Sequence, residues 1–321
     1  MIGRFATPIS AGGAGTFTYV LKEYNTSDTW TKPSGLVGIE LIVVGAGGGA
    51  ASGGRQATGV ASRAGSGGAM GGVLCMYIPA SSLGTTETIT IGAGGGGGAS
   101  VTSDSTAGTD GTQGGNTSFG AYRVDGGYQG SSTAGGNASS FFYNGGYVKH
   151  GYFFVGSNGR TSSSLGGQGQ SLASQSLNQL YVWQSAPDGG GISSANVSNQ
   201  GGIGASLYNS SIVESSQASR GTAGNPSVPG GTGGNGIDNY GDVMTVGPLM
   251  RAANLFGNYH IGTSAGGGGA GGTVTVGGNG GTTGKYGIGG AGGGASRNGS
   301  NSGAGSAGSG GIVKVLEIKE V

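Results

Sequence analysis

The chain has 321 residues, of which 83 are glycine and only 8% are charged, and its formal net charge is +1. A typical soluble domain carries about 25% charged residues and a disordered tail usually carries high net charge, so the composition fits neither. It also lacks the basic footprint of a nucleic-acid binder, any window near the roughly 20 apolar residues of a membrane span, and the glycine at every third position that collagen requires.

The opening residues, Met1-Ile2-Gly3-Arg4-Phe5-Ala6-Thr7-Pro8, have no apolar core of the secretory kind. A soluble protein made in the cytoplasm and not exported by a signal peptide is therefore expected. Thr16 to Tyr24, rich in aromatic and β-branched residues, predicts the first strand. Residues 25–35 read as a turn-rich stretch carrying Trp30, one of two tryptophans. A strand from Val37 to Val44 runs straight into Gly45-Ala46-Gly47-Gly48-Gly49. Further strands are predicted from Val73 to Ile78 and from Thr86 to Gly92, where Thr or Glu alternates with Ile. Another strand starts near Gly114 to Gly120, and the apolar run from Ile312 to Ile318 closes the chain.

From about 139 to 262 glycine thins and aromatics such as Phe141, Tyr147, Tyr152 and Trp183 gather; the glycine runs return from about 263. No segment sustains a helical period, and Ser171 to Tyr181 is the least poor candidate. The organisation read from this texture is an N-terminal attachment segment (1–15), a Gly-rich β-domain in two parts (16–138 and 263–321), and an aromatic-richer insertion (139–262). The first and last strands are expected to share a sheet. Hydrophobic residues make up only 34%, so the core is thin for the length. Backbone hydrogen bonding between closely packed extended segments, and burial against copies of the chain, are expected to supply what side chains do not.

Chemistry is scarce. Val43 to Ala50 matches a dinucleotide fingerprint, but the fingerprint needs a helix to follow, and Ala51-Ser52-Gly53-Gly54-Arg55 is dense in helix breakers. No Asp or Glu occurs between Glu40 and Glu87 to hold a ribose. With one cysteine, Cys75, and two histidines, His150 and His260, a tetrahedral zinc site lacks ligands. A glycosidase needs two carboxyls across a cleft, and the 13 acids are spread thinly, with nothing to motivate a pair such as Asp238 with Asp242. No enzyme activity, cofactor or metal is expected.

Several pieces in order resemble a known family. Trp30-Thr31-Lys32-Pro33-Ser34-Gly35 followed by Val43-Val44-Gly45-Ala46-Gly47-Gly48-Gly49, then Thr88-Ile89-Thr90-Ile91-Gly92-Ala93-Gly94-Gly95, Gly115-Asn116-Thr117-Ser118-Phe119-Gly120 and Gly310-Gly311-Ile312-Val313-Lys314-Val315, resemble the glycine-rich domain of bacteriophage tail fibres and related virion proteins. The resemblance brackets about 16 to 321, while 139–262 matches nothing in it. It implies an all-β, β-sandwich-like domain whose glycine runs form long loops or polyglycine-II-like segments. Some adhesins of this kind pack such runs as polyproline-II-like helices, with variable loops at the tip that touch the receptor.

The function expected from this is a non-enzymatic virion protein, a tail fibre or tip protein that binds a host polysaccharide or outer-membrane receptor. A homo-oligomer, with a trimer favoured, and other virion proteins are the expected partners. The alternative is a purely architectural virion component. Tyr, Trp and Asn can stack on sugars and bond their hydroxyls, so Asn144, Tyr147 and Trp183 are the candidate receptor contacts, although the reading favoured for the insertion's aromatics as a group is that they form its own small core.

Overall fold

The computed structural model describes residues 4–5, 17–133, 151–154, 186–202 and 275–321. Two antiparallel sheets face each other. One takes β1 (Arg4–Phe5), β2 (Phe17–Tyr24), β4 (Leu36–Val44), β6 (Val73–Pro79), β10 (Gly151–Phe154) and β12 (Ile312–Glu320), in the spatial order β1-β2-β12-β4-β6-β10. The other takes β3 (Asp28–Thr31), β7 (Thr86–Thr90), β8 (Thr117–Phe119) and β9 (Tyr122–Val124), in chain order. A short parallel pair, β5 (Arg55–Gln56) with β11 (Ser296–Arg297), lies apart from both. The protein is all-β, and among the described residues no helix is long and apolar enough to cross a membrane.

Alternation along each strand builds the core. Ile39, Leu41 and Val43 of β4 point inward with Val313 and Val315 of β12 and Leu74 and Ile78 of β6; Trp30, Ile89, Phe119 and Val124 meet them from the smaller sheet. Trp30 and Phe119 pack with ring centroids 5.5 Å apart. As expected, the first long strand and the last share a sheet: β12 pairs with β2 from Val313↔Tyr24 to Glu320↔Phe17. Residues 25–35 differ from the turn reading, since β3 forms within them and pairs with β7 from Asp28↔Ile89 to Thr31↔Thr86. Trp30 is the one buried residue of that short strand, too little for an alternation to register. Its indole N–H donates to Glu317 Oε1 at 2.9 Å, inside the sandwich.

Glu40 lies on the other face of β4, opposite Leu316 and Tyr77. Burial pushes its carboxyl up to about 7. The folded state therefore keeps a proton that the unfolded chain releases, and stability falls as pH rises from about 4.5 to about 7. Urea midpoints of Glu40→Gln measured on both sides of that window should show this loss removed.

The glycine runs are not open loops. Segment 45–54 continues β4, and every N–H from Gly45 through Arg55 donates to a carbonyl of another segment, at 2.8–3.1 Å. Gly45, Gly48, Ala51 and Gly54 donate to Gly72, Ala69, Ser66 and Arg63. Ala46, Gly49, Ser52 and Arg55 donate to Gly115, Thr112, Thr109 and Thr106. Gly47, Ala50 and Gly53 donate to Ser309, Ser306 and Gly303. The step is three residues on both sides, and the acceptors descend as the donors rise, so all three neighbours run antiparallel.

Carbonyls of the same segment accept from three more neighbours, now parallel: Ala46 and Gly49 from Gly127 and Gly130, Gly47 and Ala50 from Gly95 and Gly98, and Gly48, Ala51 and Gly54 from Gly290, Gly293 and Ser296. Three residues per turn and no internal hydrogen bond are the marks of the polyproline-II geometry. Successive peptide groups then point a third of a turn apart, so donors leave in three directions and acceptors in three others. A helix at the centre can satisfy all of them only with neighbours all round, and here one chain supplies the whole shell. A segment of this length spans about 30 Å.

Such close approach leaves no room for side chains between the axes. A Cβ on Gly49 would overlap the backbone carbonyl of Gly96, and one on Gly47 that of Ile288. Serine and threonine supply acceptors where the backbone ladder has none. Thr112 Oγ1 takes the Gly96 N–H at 2.7 Å, and Ser306 and Ser309 take those of Ala291 and Ile288, each at 2.8 Å. The strands set this packing, because β4, β6, β7, β8, β9 and β12 each adjoin a glycine segment. Two pieces of 139–262 also join the main body. β10 pairs with β6, and 186–190 bonds to 65 and to 292–295.

Candidate functional site

The bundle's far end, opposite the sandwich, is closed by tight turns. Residues 55–61 link two of its segments, and 102–105, 193–198 and 297–300 turn beside them. Each contains one residue with positive φ: Gly59 (87°), Ser105 (52°), Asn196 (62°) and Gly299 (88°). This left-handed region admits Gly, Asn and occasionally Ser in single-residue reversals.

Two arginines lie beneath these turns, both buried. Arg55 pairs with Ser296 and Gln56 with Arg297 in the parallel ladder of β5 and β11. The arginines therefore sit one register step apart, and side chains one step apart leave opposite faces. Arg55 bonds the carbonyl of Thr102 and pairs with Asp104 at 2.5 Å, holding 102–105. Arg297 turns the other way: its guanidinium donates to the carbonyls of Ala57 (3.0 Å), Val60 and Ser193 (2.6 Å) and to Asn196 Oδ1 (2.8 Å). One side chain thus joins 55–61 to 193–198. Burial lowers its pKa from the ordinary value, yet a guanidinium starts so high that it stays charged.

A second set of bonds ties 102–105 to 297–300. Asp104 Oδ1 accepts the Gly299 N–H at 3.0 Å, and Asn298 Oδ1 accepts the Ser105 N–H at 2.9 Å. Ser62 and Ile192 exchange backbone bonds of 2.9 Å, closing the base of the two turns that Arg297 joins. What this fixed frame presents outward is small and nearly neutral. Val60 is 50% and Val197 57% exposed, large values for valine, and Thr58, Ala61, Ser194, Ala195 and Asn298 are exposed around them.

Asn144, Tyr147 and Trp183, the receptor contacts expected from the sequence, lie outside the described residues, as do His150, His260, Asp238 and Asp242. Among the described residues no group of His, Cys, Asp or Glu could hold a metal ion. The N–H groups of 45–50, which a dinucleotide fingerprint would turn on a pyrophosphate, each bond a neighbouring carbonyl. The far-end residues were not singled out by sequence reasoning. The available signal was the isolation of Arg55 and Arg63, the only charges between Glu40 and Glu87. Both fall at this end: Arg55 under a turn, and Arg63 exposed with a bond to the Thr133 carbonyl at 3.1 Å. Comparison with known proteins finds no family model that matches the chain and no curated protein that matches it.

Proposed function

We propose that this is a non-enzymatic structural protein of a bacteriophage virion, a tail fibre or tip protein, whose far-end turns contact a receptor on the host surface. The observation that carries the reading is the set of cross-tied turns at the far end of a glycine bundle. The bundle has the form of a strut about 30 Å long, and a buried arginine on each flank fixes what it displays. A strut of backbone-bonded segments with almost no charge resists bending and offers little surface to other partners. Among the described residues of this end, the turns present the exposed side chains, Val60 and Val197 foremost. Receptor binding here would be multivalent, with weak contacts added by avidity in a trimer or other homo-oligomer attached to further virion proteins.

The test is binding of labelled, purified protein to intact cells of candidate bacterial hosts, with isolated surface polysaccharide as one competitor and outer-membrane protein as the other. Saturable binding is expected. Val60→Asp combined with Val197→Asp should reduce it at least tenfold, the order of loss when a central contact is replaced. Absence of binding to any host by folded protein would favour the architectural virion role instead.

A further inference from the structure

A guanidinium with several donors in a fixed fork can hold several carbonyls in one arrangement, which a lysine ammonium cannot do at the same reach. Arg297 is used this way. Its acceptors come from two turns more than a hundred residues apart, namely Ala57 O and Val60 O in one, and Ser193 O and Asn196 Oδ1 in the other. The second turn is short and self-bonded: the Asn196 N–H donates to Ser193 O at 3.0 Å, and the Val197 N–H to Ser193 Oγ at 3.2 Å. In the first, the Val60 N–H donates to Ala57 O at 3.1 Å. Each exposed valine is therefore tied, directly or through one further bond, to the same buried guanidinium.

We infer that Arg297 is the positioning residue of the far end, fixing the 55–61 and 193–198 turns against one another so that Val60 and Val197 are presented as one preorganised contact. The inference rests on the receptor-binding reading for its consequence, but not for its structural half. Arg297 itself is 2% exposed, so it acts through the carbonyls it holds. Preorganisation of this kind raises affinity by removing the ordering cost from the binding step. The Arg55 side chain performs the corresponding task for 102–105, bonding Thr102 and Asp104 rather than 56–61 or 193–198.

Amide hydrogen exchange on the full chain, followed by host-cell binding, tests it. In Arg297→Met the amides of Val60, Asn196 and Val197 should exchange at least tenfold faster, since each charged hydrogen bond removed is worth about a decade or more in the opening equilibrium. The Gly45 to Arg55 amides should be unchanged, and cell binding should fall at least tenfold. If Arg297→Met does not fold, Arg297→Lys decides by the same criteria, because one ammonium cannot serve both turns. Unchanged exchange in the turns overturns the inference, and so does equal loosening of the 45–55 ladder, which would make Arg297 a strut of the bundle. Loosened turns with binding intact also overturn it. In that case, loss of binding in Val60→Asp with Val197→Asp leaves the receptor site standing alone, whereas survival of binding removes both.

Discussion

Gly49→Ala should lower the stability of the protein by about 3 kcal/mol or more, the upper range for overpacking a tight interior. The added methyl meets the carbonyl of Gly96, a backbone group on a neighbouring segment, with the Gly95 oxygen close behind. No rotamer change relieves such a contact, and moving either segment strains hydrogen bonds on the remaining faces. The effect should also be local to glycine. Ala50 already carries a methyl in the same segment and is fully buried, so Ala50→Gly should cost only about 1 kcal/mol, through backbone entropy and the lost methyl. Urea unfolding of the two variants side by side checks this. Near-equal effects would mean that the segments are not in contact at the spacing described.

The second large effect centres on Glu317. Its carboxylate is wholly buried between Lys22 Nζ, 2.7 Å from Oε1, and Lys319 Nζ, 3.0 Å from Oε2, and it accepts the Trp30 indole N–H. Burial alone would raise its pKa and is the largest single influence, but the bonds from Lys22, Lys319 and Trp30 together outweigh it and hold the carboxyl below its ordinary value. With the folded pKa depressed, the contribution to stability is present above the unfolded value of about 4.3 and is lost as pH falls through the folded pKa. Glu317→Ala should therefore cost about 3 kcal/mol at neutral pH, the low end for breaking a buried pair, because both lysines reach water and only the indole is stranded. Its penalty should shrink in acid. Trp30→Phe, which keeps the ring and removes the donor, should cost about 1.5–3 kcal/mol. A Glu317→Ala penalty independent of pH down to the acid transition would contradict this account.

The strands that carry an apolar alternation are legible in the sequence. β4 and β12 stand out because their inward residues are large and aliphatic, and their pairing follows from the need to bury that face. β3 was not legible, because a single tryptophan among Asp and Thr leaves no period to detect; its place is fixed by Glu317, nearly the whole chain away. The bundle hides for a different reason. An amphipathic helix shows its period because one face is wet, whereas 45–54 is packed all round and the requirement is smallness at every position. Gly, Ala and Ser satisfy it in any order, so the three-residue step exists in the hydrogen bonds and not in the letters. The far-end arginines are harder still. Nothing in Ser296-Arg297-Asn298-Gly299 announces that its guanidinium will meet Ala57 and Ser193, since that meeting depends on the bundle having formed. The aromatic cluster of the insertion drew attention by composition, yet the described far end displays two valines and a rim of small residues instead.

Amide exchange across 45–55 in the full-length protein tests the central claim most directly. If the glycine runs form a bundle continuous with the sandwich, the N–H groups from Gly45 through Arg55 should be protected as strongly as those of β4 and β12, because all of them open only with the whole fold. Exchange of these amides at the rate of open loops, while β4 and β12 remain protected, would contradict the account: the strut would not exist, and the far-end turns would have nothing to hold them in place.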